Sequence, residues 1–166
     1  AQTGDGTLIS VDNNTTLSLY GINIDGGNAE GKGSLVEVKS GSTLNLDNSS
    51  LSDKPSFTLK LANNVYQTSD GKGGAVNNAG SLYINGANLS NNHAVEGGAI
   101  SNSGTLTIDD VAIQNNSVTK NGGGIYNSGT FTINKGYITK NTASSSVIGD
   151  GKGCAIFNAG NAGCVA

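Results

Sequence analysis

The residues of this chain that could perform acid–base chemistry are few and dispersed. Asp109 and Asp110 form the only adjacent acidic pair, and His93 is the single histidine in 166 residues. Cleavage of a glycosidic bond needs two carboxylates on one face, commonly with a basic side chain or a metal beside them. His93 has no acid or nucleophile directly next to it. The sequence therefore predicts no catalytic residues, no cofactor and a protein that is not an enzyme.

One segment has the spacing of a phosphate-binding loop. Residues 26–32 match G-x-x-x-x-G-K, but Gly33 stands where such a loop needs Ser or Thr, and Leu35 begins a strand-like run where it needs a helix. An acid-Gly-Lys-Gly tetrapeptide at residues 30–33 recurs at residues 70–73 and 150–153. We therefore interpret these segments as corners of a repeated backbone, not as nucleotide sites.

Two further sets of residues could bind a metal or form a covalent bond. Asp47, Asn85, Asp109 and Asn134 follow equivalent apolar residues. Their oxygens could hold calcium, but these residue types are also ordinary turn formers, and we predict no metal site. Cys154 and Cys164 are the two cysteines. We predict a disulfide between them, with free thiols or an intermolecular bridge as the alternatives.

A repeated unit between residues 73 and 141 must position all of these side chains. Leu82, Leu106 and Phe131 recur at steps of 24 residues (82 to 106) and 25 residues (106 to 131), a period typical of stacked structural units. Within each unit apolar and polar residues alternate, as in Thr105-Leu106-Thr107-Ile108, which indicates strands. Segments rich in Asn, Ser and Gly separate these runs and favour sharp corners.

Three short strands and three corners in each unit predict a coil of a parallel β-helix. The inward columns would be Val76/Ile100/Ile125, Leu82/Leu106/Phe131, Ile84/Ile108/Ile133 and Leu89/Ile113/Ile138. No coil could bury these residues alone, so stacking supplies the core. Two asparagine columns, Asn78/Asn102/Asn127 and Asn92/Asn116/Asn141, are predicted to be buried at corners and hydrogen-bonded between coils. Solvent-exposed turn asparagines are the alternative.

The motifs of this unit resemble those of a known family. Gly-Gly-Ala followed by Val or Ile, and then Leu89 to Asn92, Ile113 to Asn116 and Ile138 to Asn141, are similar to the GGA(I/L/V) and Phe-x-x-Asn repeats of chlamydial polymorphic outer membrane proteins and related adhesin-like passenger domains. Leu or Ile replaces the Phe of the second motif. The resemblance covers roughly residues 35–158 and implies a secreted right-handed β-helix at a cell surface.

The predicted architecture is one all-β domain over residues 1–166, a right-handed parallel β-helix of about five to six coils with three short strands in each. Residues 7–24 form an atypical first coil, 53–72 an inserted loop, 73–141 the regular coils, 142–152 a second insertion and 153–166 a C-terminal partial coil. Projecting loops often carry recognition. The candidate binding loop therefore comprises Phe57, Leu59, Leu61, Val65 and Tyr66, with packing as a lid as the alternative.

The composition limits the classes of binding partner that the chain is expected to have. The net charge is −3 and the chain contains no Arg, which disfavours nucleic acid. No apolar run could span a bilayer, and no signal peptide is visible. We expect a non-enzymatic extracellular module, adhesin-like or structural, whose partners are copies of itself in filaments, flanking domains of a longer surface protein, or a host glycan or protein receptor.

Two alternative functions remain open from the sequence. One is a carbohydrate-active enzyme or a glycan-binding β-helix. The other is an ice-binding solenoid, because Thr105 and Thr107 precede Thr130 and Thr132 by one repeat and would form a flat Thr-x-Thr array. Tyr83 would interrupt that array one coil earlier. Threonine facing water on a strand is otherwise ordinary.

Overall fold

The computed structural model describes residues 6–28, 30–31, 33–49, 59–145 and 151–159. These residues form 21 short strands and four parallel sheets. The first sheet contains β1 (Ile9–Val11), β5 (Val36–Val38), β9 (Val76–Asn78), β13 (Ile100–Asn102), β17 (Ile125–Asn127) and β21 (Ile156–Asn158). The second sheet contains β2 (Thr16–Tyr20), β6 (Thr43–Asp47), β10 (Ser81–Asn85), β14 (Thr105–Asp109) and β18 (Thr130–Ile133).

The other two sheets complete each coil. The third sheet contains β3 (Asn23–Asp25), β7 (Leu59–Ala62), β11 (Ala87–Ser90), β15 (Val111–Gln114) and β19 (Gly136–Thr139). The fourth contains β4 (Glu30–Gly31), β8 (Val65–Tyr66), β12 (His93–Ala94), β16 (Ser117–Val118) and β20 (Thr142–Ala143). Successive coils contribute neighbouring strands to every sheet, so the predicted all-β solenoid is confirmed. Each of the first five coils contains four strands, one more than the three predicted, and the last described coil contributes β21.

Equivalent residues of successive coils lie directly above one another. Leu82 pairs with Leu44 on one side and Leu106 on the other, and Ile108 lies between Ile84 and Ile133. In the central coils these apolar side chains are almost fully buried. The core is therefore a set of columns that run along the stack and depend on contacts between coils.

The Gly-Gly pairs at the corner before the first sheet have two different steric causes. Gly97 has φ +63°, and a Cβ there would lie 2.2 Å from the backbone oxygen of Ile100 in the same corner. A Cβ on Gly98 would lie 2.2 Å from the oxygen of Gly123 in the next coil. The first glycine thus permits the left-handed turn, and the second permits close stacking. Cys154 occupies the second position in the last described coil.

A second left-handed corner lies between the third and fourth sheets. Asn63, Asn91 and Asn115 have φ values of 59°, 56° and 56°, and Lys140 takes the same conformation at 53°. Asparagine tolerates this region because its short polar side chain can hydrogen-bond locally, whereas other side chains with a Cβ are strained there. Lys140 is therefore the least suited member of this corner column.

Replacing Lys140 by Asn is expected to stabilise the fold by about 0.5–1 kcal/mol, because the left-handed conformation is less costly for asparagine. Urea unfolding followed by circular dichroism measures the change. Lys120→Asn is a suitable control, since Lys120 is exposed and has no positive φ. An equal gain in both variants would contradict the conformational explanation.

The structure corrects part of the predicted inserted loop. Leu59 and Leu61 have no exposed surface and lie in β7, where Leu61 pairs with Ile24 and Leu89 in the core column. They therefore do not belong to a projecting binding loop. Most of the additional length precedes β7, and its residues 50–58, including Phe57, lie outside the described residues. In the second insertion, Thr142 and Ala143 form β20, while residues 146–150 lie outside the described part of the chain.

Candidate binding surfaces

The first asparagine column holds the corner between the first and second sheets. Asn78, Asn102 and Asn127 have no exposed surface. The Asn78 Nδ2 donates to Asn102 Oδ1 at 2.6 Å, Asn102 Nδ2 donates to Asn127 Oδ1 at 2.6 Å, and the chain continues to Asn158 at 2.9 Å. Each of these bonds joins one coil to the next. The column keeps the outer face of the second sheet in a fixed position.

The second asparagine column holds the corner before the fourth sheet. Asn92 Nδ2 donates to Asn116 Oδ1 at 3.0 Å, and Asn116 Nδ2 donates to Asn141 Oδ1 at 2.9 Å. The same amides donate to the carbonyl oxygens of Leu61 and Leu89 in the coil below. Asn64 extends this column downward, since its backbone N–H donates to Asn92 Oδ1 at 3.3 Å. These buried amides join the coils where the chain turns.

The outer face of the second sheet presents a column of hydroxyl groups. Register places Thr16, Thr43, Ser81, Thr105 and Thr130 in one line. The neighbouring outward line is mixed, because Ser18, Asn45 and Tyr83 precede Thr107 and Thr132. A paired Thr-x-Thr array is thus confined to two described coils, with Tyr83 next to it.

The predicted row of turn residues lies at the end of the second sheet. Asp47 pairs with Asn85, and Asn85 pairs with Asp109. The backbone N–H of Asn134 donates to the Ile108 carbonyl oxygen at 2.9 Å, which places it above Asp109. Among the described residues, no group of three or more His, Cys, Asp or Glu side chains converges as a metal site would require. Alternation with amides keeps the two carboxylates apart.

The remaining predicted loop residues lie in the fourth sheet. Val65 and Tyr66 form β8, are half-buried and pair with Glu30 and Gly31. Residues Glu30, Gly31, Gln67 and Thr68 line a shallow depression of about 280 Å³ beside this strand. Val65 and Tyr66 therefore lie on a sheet, not on a projecting loop.

In the folded chain a serine lies next to the single histidine. His93 and Ser117 pair across β12 and β16, and His93 Nδ1 lies 2.8 Å from Ser117 Oγ. Sequence reasoning missed this contact, although both residues directly follow an asparagine of the buried column. A nucleophilic serine needs a histidine that a third group orients. No hydrogen bond among the described residues joins His93 to a carboxylate, so the contact links two coils without completing a triad.

Burial lowers the pKa of the His93 imidazole below its usual value. The folded state then binds a proton less readily than the unfolded state, so His93 contributes stability above its unfolded pKa of about 6.5. That contribution is lost as the pH falls through the folded-state pKa. Because the chain has one histidine, His93 is the side chain whose usual pKa falls in the middle of the interval between about pH 7.5 and pH 5.

We expect the unfolding free energy of the wild type to decrease between about pH 7.5 and pH 5, because His93 binds a proton less readily in the fold than in the unfolded chain. In His93→Gln the decrease should be much smaller. Urea titrations at several pH values measure both slopes. Identical slopes in the two proteins would show that other groups cause the pH dependence.

Cys154 is exposed and is a free thiol. Its predicted partner, Cys164, lies outside the described residues. The predicted disulfide is therefore not supported.

Both ends of the stack leave core columns partly uncovered. Ile9, Leu17, Leu19 and Ile22 in the first coil, and Phe131, Ile133, Ile138 and Ile156 in the last described strands, are only partly buried. The equivalent residues of the central coils are nearly inaccessible. We call these two surfaces the end faces. Each end face combines apolar side chains with the edge strands of several parallel sheets. The unpaired backbone N–H and C=O groups of an edge strand can pair with a further strand.

The fold and its two amide columns define the class of protein as a parallel β-solenoid with asparagine-lined corners. Comparison with known families agrees, because residues 110–128 match the model of the Chlamydia polymorphic membrane protein repeat. The matched segment contains the whole of β15, β16 and β17. The chain is therefore a β-helix repeat domain similar to those of polymorphic membrane proteins.

The other comparisons define no closer relationship. No curated protein and no solved structure matches this chain. In the described part of the chain, no helix has the length and apolar character needed to cross a membrane. The repeat match indicates a surface or outer-membrane protein.

Proposed function

We propose that this domain is a non-enzymatic, extracellular surface module that acts in adhesion or as a structural element. The observation that carries the proposal is the match of residues 110–128 to the polymorphic membrane protein repeat, a segment that runs from one regular coil of the solenoid into the next. Coils locked together by buried amides form a rigid support. Rigid support suits recognition, because little conformational entropy is lost when a partner binds.

The placement of the acidic residues supports a function without catalysis. Asp110 forms an ion pair with Lys135, with 2.9 Å between the carboxylate and the ammonium group. Asp109 belongs to the turn row, where its register neighbour is an amide. Glycosidases instead place two carboxyl groups across one sugar bond. The register partner of Asp109 is Asn85, which is not a carboxylate.

Adhesion can be tested with beads that carry the purified chain. We expect these beads to bind cultured epithelial cells more strongly than beads coated with heat-unfolded chain, because recognition depends on the stacked surface. Incubation with a panel of polysaccharides should release no new reducing ends. Turnover of any polysaccharide would contradict the proposal, and so would equal cell binding by folded and unfolded protein.

The end faces support a second part of the proposal, in which the partners are copies of this chain or flanking coils of a longer surface protein. Joining two end faces would cover the exposed apolar columns and pair the outer strands. Head-to-tail contacts of this kind extend into filaments unless the rotation closes a ring. Sedimentation and electron microscopy test self-assembly. A stable monomer at high concentration would exclude filaments and favour flanking coils.

A further inference from the structure

A recess on the outer face of the third sheet has the shape and chemistry of a ligand site. Its volume is about 290 Å³, and its lining includes Gly86, Ala87, Asn88, Asp110, Ala112 and Tyr137. The outward column here runs through Asn88, Ala112 and Tyr137 on three successive coils. Small residues form the floor, and a large aromatic residue rises at one end. From these features we infer that the recess binds one ring of a neutral sugar.

The width of the recess fits a single pyranose. Asn88 and Tyr137 are separated by two coil spacings, which is about 9.5 Å along the stack. Between them lies Ala112, whose side chain is a single methyl group. Gly86 has no side chain at the adjoining corner and has φ +66°. A six-membered ring can therefore lie above Ala112 with one face towards Tyr137.

Tyr137 provides the apolar contact. It is 58% exposed, so its ring is accessible to a ligand. An aromatic ring offers a large and rigid apolar surface together with a hydroxyl group at its tip. The C–H face of a pyranose is a flat apolar surface that can cover such a ring. Binding would remove both surfaces from water.

Polar groups at the margin match sugar hydroxyls. The Asp110 carboxylate contacts Lys135 through Oδ2 and is more than half exposed, so its oxygens can accept from two neighbouring hydroxyl groups. Asn88 Oδ1 is shielded from solvent and has no hydrogen-bond partner among the described residues. A sugar hydroxyl can reach this oxygen after the Asn88 side chain rotates, and that rotation breaks no hydrogen bond of the oxygen. Because the Lys135 ammonium group compensates the Asp110 carboxylate, this margin carries no net charge, which suits a neutral sugar.

The inference rests on the proposed adhesive function and names its ligand class. The probes are the methyl α- and β-pyranosides of glucose, galactose, mannose and N-acetylglucosamine, tested by saturation-transfer NMR and calorimetry on the whole chain. We expect weak binding of at least one probe. Tyr137→Ala should weaken it at least about tenfold, and Ala112→Leu, which fills the floor, should abolish it. Circular dichroism verifies that each variant is folded.

Tyr20 provides the matched control, because it is 56% exposed but lies on the second sheet. Tyr20→Ala should bind the probe like the wild type. Absence of binding by every pyranoside would overturn the inference, as would equal loss in the two tyrosine variants. If Tyr137→Ala loses cell binding while no pyranoside binds the wild type, the recess would bind a protein partner instead of a sugar. Cell binding without pyranoside binding would remove only this inference, whereas loss of cell binding would remove the proposed function.

Discussion

Replacement of Ile108 by alanine is expected to reduce the unfolding free energy by about 2–5 kcal/mol. Ile108 is 2% exposed and lies between Ile84 and Ile133 in a continuous core column. The cavity left by the missing side-chain atoms would border three coils. Because the strands of four parallel sheets hold the coils in register, the residues around the cavity can move little to close it.

Thr107→Ala is the matched control for Ile108→Ala. Thr107 precedes Ile108 on β14 but faces outward, so its replacement should change stability by less than about 0.5 kcal/mol. Chemical unfolding followed at two wavelengths measures both variants and reveals any partial unfolding of single coils. The structure indicates that one face of β14 is buried and the other exposed. Equal effects of the two substitutions would contradict this difference.

Replacement of Asn102 by alanine is expected to cost about 2–4 kcal/mol, because it interrupts a fully buried amide chain. Asn102 accepts a hydrogen bond from Asn78 and donates to Asn127 Oδ1 and to the carbonyl oxygen of Thr130. Removal of the Asn102 amide leaves Asn78 Nδ2 and Asn127 Oδ1 with one hydrogen-bond partner fewer each. Unfolding in urea measures this cost. Asn77→Ala is the control, because Asn77 lies on β9 and is only half-buried.

Asn102→Asp distinguishes hydrogen bonding from side-chain volume. An ionised aspartate has nearly the shape of asparagine but cannot donate to Asn127 Oδ1. At neutral pH this variant should be less stable than Asn102→Ala, since burial of an unpaired charge adds to the loss. Protonation of the aspartate should recover part of the difference at acidic pH. An Asp variant as stable as the wild type at neutral pH would show that the amide chain contributes nothing.

The repeat made much of the fold predictable from sequence. Leu82, Leu106 and Phe131 occupy the same position in units of nearly constant length, and stacking such units leaves few alternatives for which residues face inward. The buried asparagines followed from the same register. Each of them recurs at a fixed distance after an inward apolar residue, two positions after Ile100 for Asn102 and three positions after Ile113 for Asn116.

The inserted segment was harder to interpret because additional residues separate β6 from β7. Leu59 and Leu61 alternate with polar residues like any strand, but their distance from Leu46 concealed that Leu61 belongs to the core column of Leu89. Periodicity identifies a strand locally and does not say which column a displaced strand joins. Only the pairing of Leu61 with Ile24 and Leu89 establishes that position.

The fourth sheet was missed for a different reason. Its strands have two residues, as in His93–Ala94 and Ser117–Val118, which is too short for alternation to be recognised. The contact between His93 and Ser117 depends on that sheet. The recess at Tyr137 also escaped prediction, because it arises where a large side chain on one coil stands above a small residue on another.

The buried amides also make the stack electrically directional. In both columns each Nδ2 donates to the Oδ1 of the following coil, so the positive ends of these side-chain dipoles point towards the C-terminal coils. Strand backbones in a sheet contribute little net dipole. A contact that joins unlike end faces would continue both amide chains in the same sense, whereas a contact between like end faces would set dipoles of the same sign against each other.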